Sequence, residues 1–293
     1  MKTITILSGK GGVGKSSFAA SLSIVLAEKY KIVAADCDVD APNLGLLLGI
    51  KKFKNLKRIS TNYKAFINEK IVKCKNKNKL SDICAFHAIT IEEGIPAINK
   101  FLCEGCGACK LLCPEGIELR KVKNAKILET STKYGFYLVS GQLEIGESGS
   151  GKIVEVIKEK AKRIGEKIKA DFIVIDSSAG IGCQVIASVR ESDFVVGITE
   201  PTPSGLNDLR RALSVVEHFK IPSGLVINKF DMNKTFTKKI ERFAKEKNIS
   251  ILGKIPYDIR FVEALVNLTP LILYAKEYQN LFNKIKDNIL SIL

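Results

Sequence analysis

A glycine-rich stretch at residues 8–16 constrains the fold of this chain more than any other part of the sequence. It reads SGKGGVGKS and separates an apolar run that ends at Leu7 from a helical pattern over residues 17–30. A strand, a glycine-rich turn and a helix in this order form a loop whose backbone N–H groups bind phosphate. The sequence therefore predicts an α/β fold that binds a nucleotide at this loop.

The spacing of this loop assigns roles to its residues. Glycines let the backbone N–H groups turn inward and form an anion-binding nest at the positive end of the helix. The Lys15 ammonium is expected to reach the β- and γ-phosphates, and the Ser16 hydroxyl is expected to ligate Mg²⁺. The residues expected to bind the phosphates are Gly11, Gly12, Val13, Gly14, Lys15, Ser16 and Ser17.

Polar side chains follow three later apolar runs that read as buried strands. Asp36 and Asp38 come after the run at residues 32–35, Asp176 follows residues 172–175, and Asn228 follows residues 223–227. In open α/β sheets, ligands bind at the carboxyl ends of the strands. We expect Asp176 to hold Mg²⁺ through water and Asn228 to contact the base. The run NKFD at Asn228 is also typical of guanine-binding proteins, so GTP remains an alternative to ATP.

The chain has 293 residues, of which 46% are hydrophobic and 26% charged, as in an ordinary globular protein. No apolar run approaches the roughly 18 residues of a membrane span. The sequence enters a strand directly after Met1, so we expect no signal peptide and a cytoplasmic protein.

The net charge of +15 is concentrated in residues 51–80, which hold eleven Lys or Arg residues and one acid, Glu69. Such a run forms either a solvated lysine-rich face or a docking surface for an acidic protein. Nucleic acid is not expected, because few aromatic residues (Phe53, Tyr63 and Phe66) are interleaved with these charges.

Eight cysteines in a protein expected in the cytoplasm favour metal binding over disulfides. Four of them, at positions 103, 106, 109 and 113, have the C-x2-C-x2-C-x3-C-P spacing of the bacterial ferredoxin run, which holds an iron–sulfur cubane. A zinc site is the alternative for thiolates at such spacing. Gly105 and Gly107 allow the backbone to curl around the cluster.

Positions 74, 77, 80 and 84 repeat the same spacing, but only Cys74 and Cys84 are cysteines. This part of the chain resembles a two-cluster bacterial ferredoxin that has lost one site, and in that fold the fourth cysteine of each run ligates the other cluster. The resemblance implies one [4Fe-4S] cluster on Cys84, Cys103, Cys106 and Cys109. It leaves Cys74 and Cys113 as a thiol pair or disulfide at the vacant site. The competing assignment makes Cys113 the fourth ligand in place of Cys84.

The loop KGGVGKSS, together with DCDVDAPNL, DSSAGIGC and INKFD, resembles the MinD/Mrp-type P-loop ATPases with a deviant Walker A motif and an inserted ferredoxin domain. The resemblance implies that Lys10 crosses a dimer interface to the nucleotide of the second protomer. It also implies that Asp38 orients the attacking water and that Asp36 lies near Mg²⁺. Pro256 and Tyr257 correspond to a loop that contacts the base.

The run DSSAGIGC resembles switch II of these ATPases and, more distantly, that of the nitrogenase iron protein. In the iron protein, the cysteine that corresponds to Cys183 ligates a cluster shared by two subunits. The second cysteine that such a cluster requires is absent from residues 145–158. We therefore expect Cys183 to be a small buried thiol.

These observations predict a doubly wound, mainly parallel P-loop sheet formed by residues 1–52 and 129–293, with a small α+β ferredoxin-like insert at residues 53–128. The expected activity is slow ATP hydrolysis, with Lys10, Lys15 and Asp38 as the catalytic residues. The expected cofactors are ATP, Mg²⁺ and one [4Fe-4S] cluster.

The expected assembly is a homodimer closed around ATP. Dimerisation would gate the cluster for electron transfer or for cofactor assembly with an acidic protein partner. The alternative is a MinD-like positioning or scaffold ATPase whose cluster is structural. The amphipathic pattern at residues 278–293 is expected to pack on the sheet rather than bind a membrane.

Overall fold

The protein is described here by a computed structural model of all 293 residues. The chain forms two compact units. The first consists of Met1–Leu56, Ile127–Gln142 and Ser150–Leu293, and the second of Lys57–Lys126 and Leu143–Gly149. The boundaries predicted at residues 53 and 128 therefore lie a few residues from those of the structure. No sequence pattern indicated that Leu143–Gly149 belongs to the second unit.

The chain contains thirteen strands and eleven α-helices. In chain order the strands are β1 (Lys2–Ser8), β2 (Ile32–Asp36), β3 (Asn55–Ile59), β4 (Asn62–Ile67), β5 (Ile89–Glu92), β6 (Ile95–Ile98), β7 (Ile117–Val122), β8 (Ala125–Ser131), β9 (Tyr137–Leu143), β10 (Phe172–Ala179), β11 (Phe194–Thr199), β12 (Ser223–Asn228) and β13 (Ser250–Ile255). The helices are α1 (Lys15–Ala27), α2 (Leu44–Leu47), α3 (Leu80–Ile83), α4 (Ala108–Leu112), α5 (Ser150–Ile168), α6 (Cys183–Val189), α7 (Pro203–His218), α8 (Lys234–Glu246), α9 (Arg260–Val266), α10 (Leu271–Tyr274) and α11 (Tyr278–Ile292).

The large sheet has the strand order β13-β12-β11-β1-β10-β2-β9-β8-β3. Neighbouring strands from β13 to β9 are all parallel. The strand β1 lies between β10 and β11, so the chain winds outward from it in both directions. Parallel strands need crossover connections, and here helices provide them. The predicted doubly wound, mainly parallel α/β fold is confirmed.

Side chains that alternate along β1 supply both faces of this sheet. Ile4 and Ile6 belong to the core cluster that contains α1 and α11, whereas Leu7 belongs to the cluster that contains α7 and α8. This period of two is what a strand covered by helices on both faces requires. The phosphate loop therefore begins at the end of a strand that is covered on both faces.

The C-terminal helix α11 packs against the same core as α1. Its apolar residues Tyr278, Phe282, Ile285 and Ile289 are buried, and the Phe282 ring lies 5.4 Å from that of Phe18. The amphipathic pattern of this helix is thus used in packing on the sheet. No helix in the structure combines the length and the apolar character that crossing a membrane requires.

The second unit has its own small sheets and its own core. The strands β4 and β7 form one antiparallel pair, and β5 and β6 form another. With the helices α3 and α4, the element order of this unit is β-α-β-β-α-β. Its core includes Cys103, Cys109 and Cys113 beside residues such as Leu80 and Ile117.

Candidate functional site

The phosphate loop has the backbone conformation that its glycines permit. It connects β1 to α1, and Gly12 and Gly14 have φ angles of +79° and +89°. A Cβ atom at Gly14 would lie 2.5 Å from Nδ2 of Asn228, which donates a 2.8 Å hydrogen bond to the carbonyl oxygen of Val13. The end of β12 therefore holds the loop in place through one amide group.

A cavity of about 540 Å³ lies at this edge of the sheet. Most of the residues that the sequence predicted to bind nucleotide line it together: Gly11, Gly12, Gly14, Lys15, Ser16, Ser17, Asp38, Asn228, Pro256 and Tyr257. Val13 is buried beneath the loop instead. The cavity combines a phosphate-type loop with carboxylate and amide groups, as a nucleotide site requires.

Three charged side chains lie together under the loop. The Lys15 ammonium is 2.5 Å from Oδ1 of Asp176, and Asp36 is the register neighbour of Asp176 on the adjacent strand. Asp36 and Asp176 are completely buried and Lys15 is 7% exposed. The second oxygen of Asp176, Oδ2, is buried without a hydrogen-bond partner. An unpartnered carboxylate oxygen beside Ser16 fits the oxygen ligands that Mg²⁺ prefers.

Burial shifts the acidity of both candidate carboxylates from the DCDVD run. It raises the pKa of Asp36 well above its ordinary value, and the charge of Asp176 adds to this. Two backbone N–H groups, of Asp38 and Leu44, donate to Asp36 at 3.2 and 3.0 Å and act against the shift. The pKa of Asp38 is also raised, mainly by burial. A cation at this position would favour the charged form of each carboxylate.

Lys10 does not line the nucleotide cavity. Its ammonium lies 2.6 Å from Oε1 of Glu200, and the other oxygen of Glu200 contacts Lys229 at 2.9 Å. Burial acts to raise the pKa of Glu200, but hydrogen bonds from Lys10 and Lys229 lower it below its ordinary value. Lys229 also donates to the carbonyl oxygen of Gly12 at 3.4 Å. Sequence reasoning missed Glu200 and Lys229, although Lys229 lies in the run NKFD that it noted.

One wall of the cavity is apolar, and sequence reasoning missed it. It consists of Leu47 from α2 and of Phe261, Val262 and Leu265 from α9. These side chains suit the flat face of a base, because ligand cavities bury most of a ligand against apolar groups. The apolar residues that follow Tyr257 in the sequence could have indicated this wall.

A network of polar side chains fixes the loop between β13 and α9. Asp231 accepts a hydrogen bond from the backbone N–H of Tyr257 at 2.7 Å. Asp258 accepts from Arg260 and, at 2.7 Å, from the hydroxyl of Tyr278. Arg260 holds the pKa of Asp258 well below its ordinary value, whereas burial and the Asp258 carboxylate raise the pKa of Tyr278 to about 12. Tyr278 of α11 thus helps to hold the loop between β13 and α9 in position.

A second, small cavity lies within the second unit. The four cysteines Cys84, Cys103, Cys106 and Cys109 line it and are all free thiols. Two of the sulfurs accept backbone hydrogen bonds, Cys103 from Ala65 at 3.4 Å and Cys84 from Ala88 at 3.3 Å. Burial raises the pKa of Cys109, and the neighbouring Cys103 adds to the effect.

The remaining two cysteines of this unit form a disulfide. Cys74 and Cys113 are bonded, with their Cα atoms 5.7 Å apart. Gly105 has a φ angle of +67°, and a Cβ atom there would lie 2.0 Å from the carbonyl oxygen of Tyr63. The cysteine loop therefore requires glycine at this position.

No group of three or more His, Cys, Asp or Glu side chains in the structure is arranged to hold a metal ion.

The two cysteines of the first unit differ in accessibility. Cys37 is completely buried, and burial, with the charge of Asp36, raises its pKa. Cys183 is exposed at the start of α6, so the expectation of a small buried thiol was wrong. The reason is its position: Ile181, Gly182 and Cys183 follow the buried end of β10 and lie on the surface.

Comparison with known proteins identifies the family. The profile of the CobQ/CobB/MinD/ParA nucleotide-binding domain matches residues 4–271. The chain belongs to this family. It is therefore a P-loop ATPase of the CobQ/CobB/MinD/ParA type.

The chain is similar to proteins whose names indicate different functions. An uncharacterized protein of Methanocaldococcus jannaschii is 41% identical over 78% of this chain and 79% of its own length. An iron-sulfur cluster carrier protein of Methanococcus maripaludis is 24% identical over 98% and 83%. The structure of the septum site-determining protein MinD of Pyrococcus horikoshii, complexed with Mg-ADP, has a TM-score of 0.60 at 19% identity and covers 98% and 95%.

Proposed function

We propose that this chain is an ATP-dependent iron–sulfur protein. In this proposal it binds ATP and Mg²⁺ at the phosphate loop, closes as a homodimer on ATP and hydrolyses ATP slowly. Closure gates one [4Fe-4S] cluster, held by Cys84, Cys103, Cys106 and Cys109, for electron transfer or for assembly of a metal cofactor.

The observation that carries the proposal is that these four free cysteines line a single cavity. The disulfide between Cys74 and Cys113 removes the other two thiols of this unit and disfavours Cys113 as the fourth ligand. The β-α-β-β-α-β order of the unit is that of ferredoxin-like folds and supports the same assignment. A relative named as an iron-sulfur cluster carrier is a further, weaker support.

The chemistry of the cavity fits a cubane better than a single ion. Four thiolates are the ligands of a [4Fe-4S] cluster, and each of its irons takes one of them. The four sulfurs therefore need to surround the cavity rather than converge on one point. Backbone hydrogen bonds to Cys84 and Cys103 are of the kind that tunes cluster potential. When bound, such a cluster supplies one-electron chemistry.

At the nucleotide, the chain's own residues account for hydrolysis. The loop N–H groups and Lys15 bind the phosphates, so Lys15 leaves its ion pair with Asp176 when ATP enters. Ser16, Asp36 and Asp176 are the residues that would hold Mg²⁺. Asp38 lines the cavity, and in this proposal it orients the attacking water. Catalysis here consists of positioning and of neutralising charge.

The position of Lys10 supports a homodimer. In the single chain Lys10 is paired with Glu200 and does not line the nucleotide cavity. The resemblance to MinD/Mrp-type ATPases makes it the residue that reaches the nucleotide of a second protomer. Two-fold pairing would then bring one Lys10 to each of two nucleotides.

The second unit presents charge that suits an acidic protein partner. Lys70, Lys73, Lys75 and Lys79 are exposed, and so is Cys106 at the cavity. Attraction between exposed charges weakens as salt screens it. Binding of the redox or assembly partner should therefore fall steeply with ionic strength.

Two anaerobic measurements test this function. The first is the content of iron and acid-labile sulfide per protomer. The second is EPR of the reduced protein with and without ATP. About four irons and a signal that ATP perturbs are expected. Near-zero iron, or zinc in its place, would refute the cluster. A signal unchanged by ATP would refute gating and favour the alternative of a MinD-like scaffold ATPase with a structural cluster.

Three variants assign the ligands. Cys106→Ser is expected to lose the cluster. Cys113→Ser is expected to keep about four irons, and loss of the cluster in this variant would instead make Cys113 the fourth ligand. Cys183→Ser is the matched control, because this exposed thiol lies outside the cysteine cavity, and its iron content should equal that of the unmodified protein.

A further inference from the structure

The segment Leu143–Gly149 belongs to the second unit, although both of its chain neighbours lie in the first. It follows β9 and leads directly into α5. Within the second unit, Asn62 donates to the Ser148 hydroxyl at 2.7 Å, and Asn124 donates to the Ser148 carbonyl oxygen at 2.9 Å. The segment is therefore anchored at its end, one residue before it rejoins the first unit.

The same segment contacts a buried lysine. Lys64 is 3% exposed, and its ammonium donates to the carbonyl oxygens of Lys100 at 2.5 Å and Gly146 at 3.3 Å. It also forms an ion pair with Oε1 of Glu147 at 3.0 Å. The other oxygen of Glu147, Oε2, is buried without a hydrogen-bond partner. The Lys64 side chain is 4% exposed and that of Glu147 is 18% exposed, so separating the two charges would leave the lysine buried without its partner.

Lys64 is adjacent in sequence to a residue that contacts a proposed cluster ligand. The backbone N–H of Ala65 donates to Sγ of Cys103 at 3.4 Å. Lys64 also donates to the carbonyl oxygen of Lys100, which is three residues before Cys103. The ring of Phe101 lies against Gly146 of the segment. Lys64 and Phe101 therefore link the segment to the cysteine loop.

At its other end, the segment continues into the part of the first unit that follows the nucleotide site. Gly151, the second residue of α5, packs on Cys183: a Cβ atom at Gly151 would lie 3.3 Å from Cβ and from the carbonyl oxygen of Cys183. Cys183 opens α6 directly after residues 177–182, and Ala179 of this run lines the nucleotide cavity. This contact joins residues 177–182 to the start of α5, so a movement of these residues on nucleotide binding would displace that helix end.

We propose that Leu143–Gly149 is the relay between the nucleotide site and the cysteine cavity, and that Lys64 and Glu147 are its positioning residues. The contact of Gly151 with Cys183 receives the movement, the chain carries it from residue 150 to residue 149, and the Lys64–Glu147 ion pair transmits it to Cys103. This inference rests on the proposed function and names how the cluster is regulated. Neither positioning residue lines the cavity at the phosphate loop or the cysteine cavity.

The test compares Glu147→Gln with the matched control Glu144→Gln in the full-length, cluster-loaded protein. Glu144 lies in the same segment, but it pairs with Arg58 and Lys126 through a partly exposed side chain. The readouts are iron per protomer, ATP hydrolysis, and the ATP-induced shift of the cluster's reduction potential and EPR signal. Glu147→Gln is expected to keep about four irons and its ATPase rate, but to lose most of the ATP-induced shift. Glu144→Gln is expected to keep all three.

A second variant, Gly151→Ala, tests the other end of the relay. Alanine favours a helix more than glycine does, so α5 stays folded. Its methyl group presses on Cys183 at all times, and the ATP-induced shift should fall to less than half of its original size. This variant decides the question if Glu147→Gln does not retain iron.

The outcomes separate this inference from the proposed function. An unmodified protein without iron would overturn both. An unmodified protein with a cluster that ATP perturbs, together with an undiminished shift in Glu147→Gln and Gly151→Ala, would overturn the relay alone. A cluster that does not respond to ATP at all would also overturn the relay.

Discussion

Replacing Lys15 by Gln should destabilise the nucleotide-free protein as well as abolish ATP binding. Lys15 is the cation that faces two completely buried carboxylates, those of Asp36 and Asp176. Removing one partner of a buried ion pair costs about 3–5 kcal/mol, because the remaining charge stays uncompensated. At about 2 °C per kcal/mol for a chain of this length, Tm should fall by roughly 6–10 °C.

The cost should depend on pH in a defined direction. Burial raises the pKa of Asp36 in the folded protein above its ordinary value. The protonated carboxyl of Asp36 therefore contributes stability that is fully present below the ordinary pKa. This contribution is lost as the pH rises through the raised pKa of the folded protein. Lys15 acts against this shift, so Lys15→Gln should raise the pKa of Asp36 further. The deficit in the free energy of unfolding should therefore be largest near pH 8 and shrink as the pH is lowered.

Urea unfolding of the nucleotide-free protein at several pH values measures this deficit. Lys10→Gln is the matched control, because Lys10 is 29% exposed and Glu200 keeps Lys229 as a partner. An exposed pair contributes about 0–1 kcal/mol, so this variant should unfold almost as the unmodified protein does. A Lys15→Gln variant as stable as Lys10→Gln, or with a deficit that grows towards acid pH, would refute the reasoning.

Three further outcomes follow from the packing. Phe282→Ala should lower the free energy of unfolding by about 3–5 kcal/mol in urea titrations, because this fully buried ring joins α11 to the core. Gly105→Ala should lose the iron, whereas Gly94→Ala, also at a positive φ angle but in open space, should keep about four irons. Tyr278→Phe should cost about 1.5–3 kcal/mol in thermal unfolding at neutral pH, as it removes a hydrogen bond to a carboxylate. The pKa of Asp258 is lowered, so this deficit should vanish as the pH falls through that value and the carboxylate takes up a proton.

The phosphate loop and the strand ends could be predicted because their signals are local. Glycines at positions that need a positive φ angle, such as Gly12 and Gly14, and an acid directly after a buried apolar run, such as Asp176, leave few alternatives. The apolar runs at residues 32–35 and 223–227, which read as buried strands, lie in β2 and β12.

Long-range contacts could not be predicted in the same way. Nothing in the sequence around Glu147 indicates that it pairs with Lys64, which lies far away along the chain. The pairing of Lys10 with Glu200 likewise depends on the parallel arrangement of β1 and β11, which brings the loops after these two strands together. The exposure of Cys183 depends on how the chain turns after β10. In each case the deciding partner is set by topology and not by neighbouring residues.

The disulfide between Cys74 and Cys113 has a consequence for how the cysteine cavity assembles. Its two cysteines are 39 positions apart, and Cys84, Cys103, Cys106 and Cys109 all lie inside the loop that it closes. A loop of this size removes about 4 kcal/mol of chain entropy from the unfolded state in the loop-closure account. The four thiols thus remain confined to one small volume even when the surrounding strands are open. Iron and sulfide would then meet a preselected set of ligands, from which two competing sulfurs have already been withdrawn.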